Sequence, residues 1–168
     1  LRLARLDSGV MEPPAVVDVL PVLEQVMRMM SLIAQEKGTE LTYRSEGTCT
    51  VLSSRDEIHQ IIYNLTDNAV KYSPSGSTVQ VSLFREAVQV VLTVEDNGAG
   101  IPEEDLPRLF ERFYRVDKAR SRESGGTGLG LSIAKEIVQR HHGNIALAPH
   151  QGPGTTVRLT LPIGGPAA

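Results

Sequence analysis

Residues 55–74, which read RDEIHQIIYNLTDNAVKYSP, decide how the rest of the chain can fold. Isoleucine, leucine and alanine recur there at three- and four-residue spacing, which predicts a helix over residues 56–73 with one buried face. Pro74 ends this helix because it lacks an amide hydrogen and restricts the residue before it. At about 100° per residue, three polar side chains fall along one edge of the buried face. They are Asn64, Asn68 and Lys71.

Alternating apolar residues on both sides of this helix predict strands, because successive side chains of a strand point to opposite faces. Turn residues join four of these runs into two predicted hairpins. The first hairpin turns at Glu46-Gly47 and the second at Glu86-Ala87. The predicted strands are 41–43 with 49–51, 79–83 with 88–94, and finally 145–147 and 157–161.

Two further helices are predicted, over residues 19–37 and 128–142. Asp18 is a suitable N-cap for the first of them, and Gly38 is a suitable C-cap. Hairpin strands argue against an all-parallel sheet. The expected fold class is therefore an α/β (α+β) two-layer sandwich, in which three helices cover one face of a mixed, mostly antiparallel sheet of about five to six strands.

The ends of the chain are expected to differ from its centre. Leucines at helical spacing near Leu1 predict the end of a helix that begins upstream, in a longer protein, and Pro13 and Pro14 then break the chain. The expected parts are a helix end over 1–12, a linker over 13–18, the folded domain over 19–163, and a disordered tail over 164–168.

Composition excludes several classes of protein. The net charge is −3, so no global basic field favours nucleic acid. The single cysteine, Cys49, leaves no internal disulfide and no cysteine-built metal site, which fits a reducing compartment. No uncharged apolar run reaches the roughly 18 residues that span a membrane. A globular domain with one core is the expected outcome.

The polar edge of the central helix has two interpretations. Asparagine is a poor helix former, so two of them on one edge lower the stability of the helix. They form either a flank satisfied by solvent or core, or a binding surface. In the second interpretation Asn64 and Asn68 offer amide oxygens to a hard cation such as Mg²⁺, and Lys71 meets phosphate oxygens. The edge alone leaves both open.

Residues 95–102, EDNGAGIP, directly follow a predicted strand. Asp96 could accept a hydrogen bond from an exocyclic amino group at that strand end, while Gly98 and Gly100 allow close approach of the backbone. Asp-Asn-Gly is also ordinary turn chemistry. Taken alone, this segment favours a turn.

Residues 125–131, GGTGLGL, open the predicted helix over 128–142. Glycines at a helix start leave amide hydrogens free to point at an anion. The segment is not a dinucleotide fingerprint, because it follows no strand, and the chain contains no Walker loop. A glycine-rich hinge is the alternative interpretation.

A basic stretch with aromatic residues, LFERFYR over 109–115, lies upstream of those glycines. Arg115, Lys118 or Arg122 could close over a phosphate as a lid. A solvated short helix is one alternative, and single-stranded nucleic acid is another, which the acidic balance of the chain disfavours.

Together these segments resemble the motifs of sensor histidine kinases. All occur in the family's order with ordinary spacing, and the resemblance covers essentially the whole chain. It implies the Bergerat ATP-binding fold of the GHKL superfamily, shared with gyrase, Hsp90 and MutL ATPases. The similar segments are 61–73 (N box), 94–102 (G1 box), 109–115 (F box), 126–131 (G2 box), 152–162 (the closing glycine-threonine motif) and 3–9 (the end of the dimerisation module).

The resemblance implies a site for ATP and Mg²⁺. Asp96, supported by Thr155, would bind the adenine amino group between Tyr72 and Ile101, and Arg115 would reach the terminal phosphate. The implied catalytic residues are Asn64, Lys71 and Arg115; the implied metal ligands are Asn64 and Asn68; the implied nucleotide-binding residues are Asn64, Asn68, Lys71, Tyr72, Asp96, Gly98, Gly100, Ile101, Arg115, Gly126, Thr127, Gly128, Leu129, Gly130, Leu131 and Thr155.

Asn64 separates two chemistries within the superfamily. Hydrolysing relatives carry a glutamate there as general base for water, and an asparagine has no such carboxylate. The resemblance therefore implies binding of Mg-ATP with poor hydrolysis, and transfer of the γ-phosphoryl to a histidine. The alternative is a GHKL-superfamily ATPase or a nucleotide-binding regulatory module.

The acceptor histidine is not expected among these residues, because none of the four histidines lies in a His-Glu or His-Asp box. The resemblance places it on dimerisation helices of the same or a partner protomer, with a response regulator as the next acceptor. No autophosphorylation by this chain alone is expected. The implied setting is a cytoplasmic domain of an inner-membrane-anchored parent protein, with no nucleic-acid partner.

Overall fold

The computed structural model describes residues 14–98, 130–148 and 154–164. The described residues form seven strands and three helices. In chain order they are β1 (Ala15–Asp18), α1 (Val19–Lys37), β2 (Glu40–Glu46), β3 (Thr50–Ser53), α2 (Arg55–Lys71), β4 (Thr78–Glu86), β5 (Gln89–Asp96), α3 (Gly130–Arg140), β6 (Asn144–Ala148) and β7 (Thr155–Pro162). The expected helix end over 1–12 lies outside the described residues.

Five strands form one mixed sheet in the order β2-β4-β5-β7-β6. Strands β4 and β5 make the hairpin predicted at Glu86-Ala87, and Ala87 takes the positive φ of 53° that a tight two-residue turn needs. The pairs β5–β7 and β7–β6 are also antiparallel, whereas β2 lies parallel to β4. The prediction of a mixed, mostly antiparallel sheet is confirmed.

The other predicted hairpin is wrong. Tyr43 of β2 lies opposite Val81 of β4, and β3 pairs with β1 in a separate two-stranded sheet. Strand β1 occupies residues that the sequence assigned to a linker, so that assignment is corrected as well. Val17 of β1 faces Val51 of β3, whose side chain is buried, and this pairing gives the short strand its partner.

The helices begin and end where their caps allow. Asp18 accepts a hydrogen bond from the Leu20 amide at the start of α1, and Gly38 ends that helix with a left-handed φ of 81°. The Ser54 hydroxyl accepts from the Glu57 amide, 3.1 Å away, at the start of α2. All three helices and the sheet share one apolar core, as the sequence predicted.

Two features at the other end of the sandwich complete the described chain. The Gly164 amide donates to the Thr50 carbonyl at 2.9 Å, and the Thr50 hydroxyl donates back to the Gly164 carbonyl at 2.7 Å. The predicted disordered tail is therefore wrong at Gly164, while 165–168 lie outside the described residues. Nearby, burial raises the pKa of the Cys49 thiol, so the thiol stays protonated near neutral pH.

No helix within residues 14–98, 130–148 and 154–164 is long and apolar enough to cross a membrane.

Candidate functional site

The polar edge of α2 is half-buried, as a binding edge beside a core would be. Asn64 Oδ1 accepts a hydrogen bond from Gln60 Nε2, one turn earlier, at 3.3 Å. Asn64 Nδ2 is buried, and within the described part of the chain it has no hydrogen-bond partner. Lys71 Nζ pairs with Asp67 Oδ2 at 3.1 Å. The amide at position 64 therefore keeps an unused polar atom, and Gln60, which sequence reasoning missed, orients it.

The Asp96 segment is both a turn and a contact with α2. The Gly98 amide donates to Asp96 Oδ1 at 3.0 Å, and the Asn97 side chain accepts from the Thr78 amide at 2.7 Å. A Cβ placed on Gly98 would lie only 2.9 Å from Pro74 Cδ. The turn thus packs directly against the residues that follow α2, and it carries the Asp96 carboxylate to that helix end.

Thr155 and Tyr72 lie at the same end of the sheet. Thr155, the first residue of β7, is opposite Asp96, the last residue of β5. Tyr72 caps α2 through its amide, which donates to the Asn68 carbonyl at 3.2 Å. The next residue, Ser73, has its Cα 3.6 Å from the Cβ position of Gly98. The structure therefore brings together the residues predicted for the adenine end.

Helix α3 starts toward this same end. Its last residue, Arg140, and the following His141 lie 2.8 Å and 3.1 Å from the carboxylate of Glu57, in the first turn of α2. The two helices are therefore antiparallel. Because α3 has 11 residues and a helix rises about 1.5 Å per residue, Gly130 lies level with the last turns of α2. The positive end of the α3 dipole points at the Asp96 end of the sheet.

The remaining predicted residues have different outcomes. Leu131 packs in the core, so any role at the site falls to its backbone. Clusters of His, Cys, Asp and Glu that could hold a metal are absent from the described ranges, and the predicted metal ligands are amides instead. The predicted site residues outside the described residues are Gly100, Ile101, Arg115, Gly126, Thr127, Gly128 and Leu129.

The fold and these segments match a known family. Residues 53–165 match the family described as histidine kinase-, DNA gyrase B-, and HSP90-like ATPase. The chain belongs to this ATPase family. The matched region contains α2, the Asp96 turn, α3 and β7, which are the elements that meet at the end of the sheet described above.

Sensor histidine kinases are among the similar proteins. The chain is 43% identical to sensor histidine kinase WalK of Bacillus subtilis over 147 residues, which are 82% of this chain and 24% of WalK. It is 36% identical to sensor-like histidine kinase SenX3 of Mycolicibacterium smegmatis over 163 residues, 96% of this chain and 42% of SenX3. Full-length ShkA, solved in complex with AMPPNP, matches with a TM-score of 0.79 at 30% identity, covering 98% of this chain and 34% of ShkA.

The chain therefore spans between about a quarter and two fifths of the curated relatives it matches. It corresponds to the catalytic ATPase domain of sensor histidine kinases.

Proposed function

We propose that this domain binds Mg-ATP at the Asp96 end of the sheet and positions the γ-phosphoryl for transfer to a histidine outside these residues. The contact between Gly98 and Pro74 carries the proposal, because it brings a strand-end carboxylate to the helix that bears two asparagines and a lysine. The complex of the related ShkA with AMPPNP supports the same ligand class here.

The adenine end fits an exocyclic amino group. Asp96 Oδ1 already accepts the Gly98 amide, and a carboxylate has further lone pairs for a second donor. The hydroxyl of Thr155, opposite Asp96, would support that contact, and Tyr72 and Ile101 would flank the base. A guanine base presents a carbonyl oxygen in place of the amino group, which a carboxylate repels. The site should therefore prefer adenine over guanine nucleotides.

The phosphate end fits a hydrated cation. The two atoms of an asparagine amide exchange places on a half-turn, so the unpartnered atom of Asn64 can become an oxygen ligand. Asn64 and Asn68 would hold Mg²⁺, which would neutralise phosphate charge. Lys71 would leave Asp67 for the phosphates. The other proposed phosphate-side residues are Gly100, Arg115, Gly126, Thr127, Gly128, Leu129, Gly130 and Leu131.

The residue at position 64 directs the reaction away from water. The amide of Asn64 cannot take a proton from an attacking water, so hydrolysis lacks a general base there. Transfer to an imidazole needs mainly positioning and charge stabilisation. The proposed acceptor is a histidine on dimerisation helices of the same or a partner protomer, and a response regulator is the next acceptor. The proposed parent protein is anchored in the inner membrane, with this domain in the cytoplasm.

Two measurements on the purified chain test binding and hydrolysis. Calorimetry should detect Mg-ADP binding with little or no heat for Mg-GDP, and a phosphate-release assay should detect no sustained turnover of Mg-ATP. Absence of heat at millimolar Mg-ADP would reject nucleotide binding. Steady turnover that is lost in Asn68→Ala would instead favour a hydrolytic ATPase of the same superfamily.

A chimera tests phosphoryl transfer. The chain alone should incorporate no label from γ-³²P-ATP, whereas its fusion to the histidine-bearing dimerisation helices of WalK should acquire an acid-labile, base-stable phosphohistidine. The same fusion carrying Asp96→Asn should label much more slowly. A nucleotide-binding chimera that is never labelled would contradict the kinase proposal while leaving ATP binding intact.

A further inference from the structure

The C-terminal end of α2 poses an electrostatic problem for the proposed ligand. The helix points this end toward the Asp96 turn, where a negatively charged nucleotide is proposed to bind. A helix C-terminus carries about half a negative charge, concentrated on its last carbonyl groups. Unless another group offsets that charge, it opposes the binding of phosphates.

The last four carbonyls of α2 are those of residues 68–71, and none of them has a partner within the helix itself. The Tyr72 amide donates to the first at 3.2 Å. The Ser73 hydroxyl donates to the second at 2.6 Å, and the Ser73 amide donates to the third at 3.3 Å. The local cap therefore satisfies three carbonyls and leaves the fourth.

Lys37, the last residue of α1, completes the cap from outside. Its Nζ donates to the carbonyls of both Val70 and Lys71. The ammonium thus adds a full positive charge where the helix is most negative. Because it comes from another helix, no local pattern within α2 predicts it.

The position of Lys37 is itself fixed by the next connection in the chain. Gly38 turns sharply, with a φ of 81°, and its carbonyl accepts the Gly76 amide at 2.8 Å. The Glu40 amide donates to the Ser77 carbonyl at 2.9 Å. The end of α1 is therefore bonded to the loop between α2 and β4, and the ammonium of Lys37 is held at the helix end.

We infer that Lys37 is a positioning residue for nucleotide binding. It holds the last turn of α2, which carries Asn68 and Lys71, and its charge offsets the negative helix end that faces the phosphates. It acts through the helix and does not touch the ligand. This inference rests on the proposed nucleotide site and adds a residue from outside the polar edge and the glycine segments.

The test compares ligands of increasing negative charge. Lys37→Met keeps most of the apolar stem and removes the charge and the donors. Its affinity for AMPPNP should fall about two- to fivefold, the range expected for a charge at a helix end. The loss should be smaller for ADP and absent for neutral adenosine, followed by NMR titration. High salt should shrink the AMPPNP loss.

Three variants separate charge from structure. Arg28→Met removes one positive charge from an exposed site on the same helix and should bind all three ligands like the wild type. Lys37→Arg should keep most of the AMPPNP affinity. Lys37→Gln, which keeps a donor without the charge, should reproduce the graded loss if Lys37→Met folds poorly.

The outcomes are distinguishable. An equal loss for adenosine, ADP and AMPPNP would make Lys37 a purely structural cap, and an unchanged AMPPNP affinity would remove any role; either result overturns the inference. Wild-type protein that binds none of the three ligands would reject the proposed nucleotide site, and the inference would be rejected with it.

Discussion

Gly98 shows at the scale of one residue how the site is assembled. A side chain there would place its Cβ 2.9 Å from Pro74 Cδ and 3.3 Å from Asp96 Oδ1. Both neighbours are constrained, one by a proline ring and the other by its bond to the Gly98 amide. A glycine at this position therefore lets the strand-end carboxylate and the end of α2 approach each other.

Gly98→Ala should separate these two segments. Overpacking of this kind costs about 1–3 kcal/mol of folding free energy, and the displaced carboxylate should weaken Mg-ADP binding about tenfold, a change of about 1.4 kcal/mol. Gly47→Ala is the control, because that glycine has a φ of 76° in a turn far from the site and its Cβ would meet only Arg85 Cβ at 4.0 Å. It should lower stability but not affinity. Equal affinity of Gly98→Ala and wild type in calorimetry would contradict the packing argument.

Asp96→Asn should impair binding without disturbing the turn. The asparagine oxygen can still accept the Gly98 amide, so the urea midpoint should change little. The charge and one acceptor are lost, and a hydrogen bond to a charged group contributes about 1.5–3 kcal/mol, so Mg-ADP affinity should fall at least about tenfold. Glu95→Gln is the matched control, because its side chain points to the other face of the strand. If the two variants bind Mg-ADP equally well, Asp96 does not recognise adenine.

The residues that sequence reasoning missed differ in how visible they were. Gln60 lies four residues before Asn64, and this helical spacing could have indicated their contact. Lys37 is more than thirty residues from the carbonyls it binds, and only the packing of α1 beside α2 brings it there. Local patterns identify members of one helix edge, but they do not identify a cap that another helix supplies.

At the scale of elements, an ion-pair cluster fixes α3 against α2. Glu57 lies between Arg140 and His141, and His141 Nε2 also lies 3.2 Å from the Ser53 hydroxyl. The Arg140 contact is close at 2.8 Å, yet its geometry falls short of a hydrogen bond. This cluster sets the direction of α3, and hence the direction in which its N-terminus points.

Glu57→Gln should loosen α3. The side chain is only 17% exposed, so loss of its charge should cost about 1–3 kcal/mol, below the full penalty of a deeply buried broken pair. Glu86→Gln is a matched control, since its pair with Arg158 has a similar separation of 2.9 Å but the carboxylate is 52% exposed. That variant should lose less than about 1 kcal/mol. Equal urea midpoints for the two variants would show that the cluster does not stabilise the helix pair.

Element types were predicted well, but strand partners were predicted less well. Alternation in 41–43 and 49–51 correctly indicated strands, yet their partners proved to be β4 and β1. Alternation reports which side chains share a face, and it holds no information about which strand lies alongside. Strand β1 was taken for a linker because Pro13 and Pro14 precede only four residues, too few to show a period.

At the scale of the whole molecule, the sandwich has two different ends. One end contains the Asp96 turn, Thr155, the end of α2 and the start of α3, and the proposed nucleotide lies there. The other contains the Glu57 cluster, β1 and β3. The family match covers elements from both ends, so it identifies the domain and does not by itself locate the ligand.

Hydrogen–deuterium exchange with and without saturating Mg-ADP tests the location of the site most directly. Amides in residues 72–78, 96–98, 130–134 and 154–157 should exchange more slowly with the nucleotide bound, while those in 50–55 and 140–146 should be unchanged. Protection confined to the second set, or no protection anywhere at a ligand concentration that calorimetry shows to be saturating, would contradict a nucleotide bound between the Asp96 turn and the polar edge of α2.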